Sequence, residues 1–80
     1  MKKIIFGERK NLIGENVKLL RTKHKLTQGE LAAKLQVMNV NIDQQMISKI
    51  ERCDRIVTDY ELWCICKVLG ITPNEIFEEL

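Results

Sequence analysis

The chain has 80 residues, of which 45% are apolar, 30% charged and 5% aromatic, with 13 Lys/Arg against 11 Asp/Glu. That length bounds the protein to a single domain over residues 1–80 with one modest, mostly aliphatic core. No apolar stretch approaches membrane-spanning length, which excludes a spanning helix and points to a cytoplasmic protein.

The opening MKKIIFGERK places two lysines before an apolar run, but only Ile4, Ile5 and Phe6 precede the next charges. This is too short for the core of a signal peptide. Lys2, Lys3, Arg9 and Lys10 could instead form a basic arm over residues 1–10, or a frayed, solvated terminus. A first helix is expected over about Leu12 to His24, with Ile13, Val17 and Leu20 forming one apolar stripe and Gly14 weakening its start. Three later helix starts share one device, a Thr followed three residues on by Glu: Thr27/Glu30, Thr58/Glu61 and Thr72/Glu75. The hydroxyl can accept from the N3 amide while the Glu reaches back to the N-cap amide. These starts predict helices over Gln28–Leu35, Asp59–Leu69 and Pro73 to the end, with Pro73 at N1 and Gly70 just past the fourth helix. Asp43 is the expected N-cap of the third, Gln44–Arg52. The resulting fold class is all-α, a bundle of five short helices with short connections.

Charge is distributed unevenly. Residues 1–34 carry nine Lys/Arg against three Asp/Glu, residues 35–57 three against three, and residues 58–80 one against five. The front suits an approach to a polyanion and the tail a surface turned away from it, although a merely solvated face has the same composition. Cys53, Cys64 and Cys66 cannot all pair, and Cys64 and Cys66 lie about 200° apart around a helix axis. His24 has no ligand-type neighbour at metal spacing, so no metal site is expected and the cysteines read as reduced thiols. No nucleophile–base pair or paired-carboxylate motif is visible, which argues against an enzyme.

The third helix carries the chemistry. At 100° per residue, Ile47 and Ile50 fall on one side, while Gln45, Ser48, Lys49 and Arg52 fall on the other, with Gln44 at the N-terminal tip. A major groove admits a helix, and Gln can bond bidentately to adenine through N6 and N7. Any surface helix also shows polar residues, so the pattern alone leaves an ordinary solvated face open.

The runs Leu20-Arg21, Leu26-Thr27-Gln28, Glu30-Leu31-Ala32, Ile47-Ser48-Lys49-Ile50-Glu51-Arg52 and Leu69-Gly70-Ile71-Thr72 resemble the phage-repressor-like helix-turn-helix regulators, of the Cro/CI or xenobiotic-response-element type. The resemblance covers about Ile13 to Leu80. It implies a lambda-repressor-like DNA-binding domain with helices 2 and 3 as the helix-turn-helix. Gln44, Gln45, Ser48 and Lys49 would then read base edges, while Thr27, Gln28, Arg52 and Arg55 would touch phosphates. Arg21 and Glu51 would form a helix-bracing ion pair. The implied function is sequence-specific regulation of transcription, as a repressor, by a bacterial cytoplasmic protein that joins the nucleoid when bound. The implied partner is double-stranded DNA with a palindromic operator, met by a homodimer at least on DNA, without cofactor, membrane or small-molecule ligand. A protein-interaction module on the same fold, an antitoxin or adaptor, is the alternative.

The sequence departs from this family in two places. Seven residues, Gln36 to Ile42, stand where the family has two between the second helix's last leucine and the next N-cap. Val37, Val40 and Ile42 could fold this excess onto the core, or Asn39 and Asn41 could reach the DNA backbone. Cys53 replaces the glycine that commonly follows the recognition helix, so less left-handed backbone is expected there. Tyr60, Trp63 and Lys67 share a helix face turned partly from the expected core, and either this face or the Phe77/Leu80 tail could dimerise the domain. Burial of Trp63 beneath the fifth helix is the simpler expectation.

Overall fold

All three Thr-x-x-Glu signals form reciprocal capping boxes. Thr27 Oγ1 accepts from the Glu30 amide at 3.0 Å, while the Thr27 amide donates to Glu30 Oε1 at 2.8 Å; Thr58/Glu61 and Thr72/Glu75 repeat the arrangement. The computed structural model describes residues 8–78. Its helices are α1 (Gly14–Lys23), α2 (Gln28–Val37), α3 (Gln44–Glu51), α4 (Asp59–Leu69) and α5 (Pro73–Ile76). The fold is all-α, with α2 and α3 as the helix-turn-helix. Both α1 and α2 pack on α3, α2 also packs on α4, and α4 on α5.

Element boundaries differ from expectation at several places, each for a local reason. At its start α1 begins at Gly14 instead of Leu12, because Asn11 Oδ1 accepts from the Ile13 and Gly14 amides at 3.0 and 2.7 Å and sets the first turn there. The glycine is needed for contact. Gly14 is buried, and a Cβ at this position would collide with the carbonyl of Ile50 on α3. Two residues later than expected, α2 ends at Val37, while α3 ends at Glu51 and leaves Arg52 at its C-cap. The last helix, α5, stops at Ile76 instead of continuing to the end of the chain. There Asn16 Nδ2 donates at 2.8 Å to the carbonyls of both Ile76 and Glu78 and caps the final turn.

Four helix exits use left-handed backbone, at Lys25 (φ 60°), Asn39 (φ 65°), Cys53 (φ 63°) and Gly70 (φ 67°). The expectation that Cys53 would relax this requirement is therefore corrected. The Cys53 and Asp54 amides donate to the Ile50 and Lys49 carbonyls at 2.9 and 2.8 Å, a Schellman closure that demands positive φ whichever residue occupies the site. Such a conformation costs a non-glycine residue about 1–2 kcal/mol.

The core is aliphatic: Val17, Leu31, Leu35, Ile42, Ile47, Ile50, Ile65, Leu69 and Ile76 are fully buried, joined by Cys64 and Cys66. All three cysteines are buried and free, and burial pushes the Cys66 thiol up from its ordinary value. Phe77 is exposed and Leu62 half-buried. Trp63 is not covered by α5. It is 52% exposed, with the Lys67 ammonium 4.8 Å from its ring centroid. Leu80, Lys2 and Lys3 lie outside the described residues.

Candidate nucleic-acid interface

The position of α3 follows from its sequence. Ile47 and Ile50 bury one side completely, and Glu51 extends that side as a buried carboxylate. Two groups hold Glu51. Arg21 Nε and Nη2 donate to its two oxygens at 2.6 and 3.0 Å, and Gln28 Nε2 donates to Oε1 at 2.9 Å. The same guanidinium donates through Nη1 to the Leu26 carbonyl at 2.7 Å. One buried cluster thus ties α1, the α1–α2 connector and α2 to α3. Its hydrogen bonds raise the Arg21 pKa, with burial opposing. Removing one partner would strand a buried charge, which makes the cluster a strong positional constraint.

A second set of ties, not anticipated from the sequence, holds the exit of α3. Asn11 Nδ2 donates to the Ile50 carbonyl at 3.1 Å and the Arg55 carbonyl at 2.9 Å, and the Lys10 amide donates to the Cys53 carbonyl at 2.9 Å. One asparagine therefore starts α1 and fastens the end of α3. An Asn placed just before an expected helix was the available signal, since its side chain readily caps nearby amides.

With those sides anchored, Gln44, Gln45, Lys49 and Arg52 are exposed and Ser48 is half-buried. Gln44 leans on the start of α2: a Cβ added at Gly29 would lie 3.4 Å from its Oε1, an ordinary contact distance. Gln28, half-buried beside it, points its amide nitrogen inward to Glu51. Arg52 Nη1 donates to Ser48 Oγ at 2.7 Å and its Nε approaches Asp54 Oδ2 at 3.4 Å, so Arg52 and Ser48 form one linked pair. Thr27 is exposed with its hydroxyl and amide engaged in the capping box, which lowers the Glu30 pKa through the Thr27 backbone hydrogen bond first.

Arg55 is placed differently from the other expected phosphate ligands. Nη1 and Nη2 donate to the two oxygens of Glu61 at 2.9 and 3.0 Å, and Nη1 also reaches the Ile56 carbonyl. These bonds raise the Arg55 pKa and hold the Glu61 carboxyl below its ordinary range. Contact between Arg55 and a phosphate would have to compete with Glu61. The basic residues expected in an N-terminal arm divide similarly: Arg9 pairs with Glu15 at 2.9 Å, while Lys10 is exposed.

The seven-residue connection between α2 and α3 is built into the fold. α2 takes up Gln36 and Val37; the Asn39 and Val40 amides close a Schellman turn on the Gln36 and Leu35 carbonyls at 2.9 and 3.0 Å. Val40 and Ile42 are buried, and Gln36 Nε2 donates to the Ile42 carbonyl at 3.1 Å. Val37 does not fold back as expected; it is 84% exposed, because extending α2 turns it away from the core. Asn39 and Asn41 are exposed beside an open groove of about 260 Å³ lined by Gln36, Asn39, Val40 and Asn41. Asp43 Oδ1 then caps α3 through the Met46 amide at 2.8 Å. Among the described residues, no group of three or more His, Cys, Asp or Glu could hold a metal ion, and no helix is long and apolar enough to cross a membrane.

The fold is similar to that in the crystal structure of the DNA-binding domain of BldD, with a TM-score of 0.70 and 23% identity, over 86% of this chain and 93% of that one. No curated protein sequence matches the chain significantly. The profile of the helix-turn-helix family HTH_3 matches residues 17–76, from within α1 to the last residue of α5. By that match the chain belongs to the helix-turn-helix proteins of the Cro/CI and xenobiotic-response-element type.

Proposed function

We propose that this chain is a sequence-specific, double-stranded-DNA-binding transcription regulator that inserts α3 into the major groove. One observation carries the reading. α3 is fixed on its inner side by Ile47, Ile50 and the Arg21–Glu51–Gln28 cluster, while Gln44, Gln45 and Lys49 are exposed on the other side. Rigid placement of amides and a cation on a groove-sized helix suits base reading, because donor and acceptor patterns discriminate only when held in register. Gln44, Gln45 and Lys49 read base edges, with Ser48 aimed by its bond to Arg52. Thr27, Gln28 and the positive end of the α2 dipole meet phosphate, as does Arg52. Arg55 steadies the α3–α4 turn through Glu61 and joins the phosphate set only by releasing it. The protein acts as a repressor, and two copies occupy a two-fold related operator with half-sites about one helical turn apart.

The family membership and the likeness to a DNA-binding domain support this reading. A second reading, a protein-interaction module such as an antitoxin or adaptor, draws on the half-exposed Tyr60 and Trp63. Selection from random duplex DNA, followed by salt titration of the winner, separates the two. The regulator gives an enriched palindrome whose binding constant falls steeply with log salt; an absence of any enriched site overturns it. Gln44→Ala costs about 1–3 kcal/mol on the selected site and relaxes preference at one base pair. Arg52→Ala weakens selected and random DNA alike and reduces the salt slope by about 1. Equal loss on both DNAs for Gln44→Ala would remove that residue from the reading set.

A further inference from the structure

Asp59, Tyr60, Trp63 and Lys67 form an exposed stripe along α4. Tyr60 and Trp63 are 55% and 52% exposed, and Ile56, just before the helix, is 67% exposed. Aromatic groups left exposed on one helix face are enriched at contact surfaces. The charges around Trp63 indicate what covers them. Asp59 lies four residues before it and Lys67 four residues after, about 12 Å apart at 1.5 Å per residue, on one face. We propose that a second copy of this chain packs here, with α4 antiparallel to its counterpart and the two-fold axis passing beside Trp63.

Under that axis, residue 63 − n meets residue 63 + n of the other copy. Asp59 of each copy then faces Lys67 of the other, so both ends of the contact carry opposite charges, while a parallel arrangement would oppose like with like. The stripe is also neutral within an acidic part of the chain: residues 58–80 carry one Lys against five Asp/Glu, and that Lys is Lys67. Two such regions repel unless the lysine lies between them. In each copy Lys67 already sits 4.8 Å from the Trp63 ring centroid, which orders the indole while leaving it half-exposed. One helical face is smaller than the about 800 Å² per partner of a stable interface, so association is weak in free solution and completed on two-fold DNA.

This inference rests on the two-fold assembly proposed above and names the face that makes it. Sedimentation of the whole chain without DNA, from micromolar to millimolar, tests it with Asp59→Lys, Lys67→Glu and their equimolar mixture, folding being checked by circular dichroism. Each single variant opposes like charges at both ends and weakens self-association about tenfold or more. The mixture restores association as a heterodimer, because each contact then joins Lys to Asp or Glu. Trp63 emission shifts to the blue as the wild-type chain dimerises. Dimers indifferent to the single changes, or a mixture that fails to associate, overturn this face and leave the dimeric reading standing. A chain monomeric at every concentration overturns the face as well, while base reading remains to be judged by DNA selection alone.

Discussion

The C-terminal end of α3 adds to the buried Ile50 a set of polar ties, from Arg21, Gln28, Asn11 and the Lys10 amide. Its N-terminal end is held instead by an aliphatic anchor, Val40 and Ile42 sunk into the core, followed by a single Asp43 cap. The difference lies in kind of constraint. Hydrogen bonds between charged and amide groups fix direction and register, whereas buried branched residues fix depth and tolerate some rotation. The exit of the helix is therefore located by geometry and its tip by packing. The glutamines proposed to read bases ride on the packed end, downstream of a connection longer than the family's usual turn.

Breaking the polar end has the largest expected effect. Glu51→Ala leaves the Arg21 guanidinium buried without its carboxylate and should cost about 3–5 kcal/mol in urea unfolding; a loss under 1 kcal/mol would show that the cluster is relieved by water. Next comes the packed end. Ile42→Ala empties a fully buried site and should cost about 2–4 kcal/mol, and in surviving protein it should blur base preference before it weakens non-specific binding. Unaltered preference would mean that the anchor does not aim the tip. Asn11→Ala removes two donors and two accepted bonds near the helix exit and should cost about 1–3 kcal/mol. A fall in stability confined to α1, read by amide exchange, would reduce Asn11 to an ordinary cap.

The smallest effect is one of pH. Glu61 is held below its ordinary value of 4.5, first by its hydrogen bonds from Arg55 and against the effect of burial. A carboxylate depressed in the folded state contributes stability that is complete above the unfolded value and is lost as pH falls through the folded one. The urea midpoint should therefore decline below about pH 4.5, and Arg55→Gln should remove part of that decline. An identical acid limb in the variant would assign the effect elsewhere.

Legibility in the sequence followed the range of the interactions. The capping boxes act over three residues, so Thr27, Thr58 and Thr72 marked their helix starts, and α4 was read to both ends. The exposure of Gln44, Gln45 and Lys49 followed from Ile47 and Ile50 by helix geometry alone. What escaped were contacts that depend on distant chain. Asn11 meets carbonyls 39 and 44 residues away. Gly14 looked like a weak helix start until the Ile50 carbonyl was found against it. In the connection, Val37, Val40 and Ile42 were indistinguishable by residue type; only the two extra residues of α2 decide that Val37 faces water. Cys53 shows the complementary failure, since residue identity suggested a relaxed backbone where the closure of α3 required a left-handed one.

The carboxylate of Glu51 also shapes how this chain folds. It receives hydrogen bonds from residues 30 and 23 positions earlier, and its counter-charge sits on α1, so α2–α3 packing cannot satisfy it alone. An α2–α3 fragment would bury an anion without its counter-charge, which disfavours that partial structure and draws α1 into the same cooperative unit. The slowest-exchanging amides of these three helices should share a single opening free energy. The search for those distant partners should make folding slower than that of a bundle stitched only by neighbouring helices.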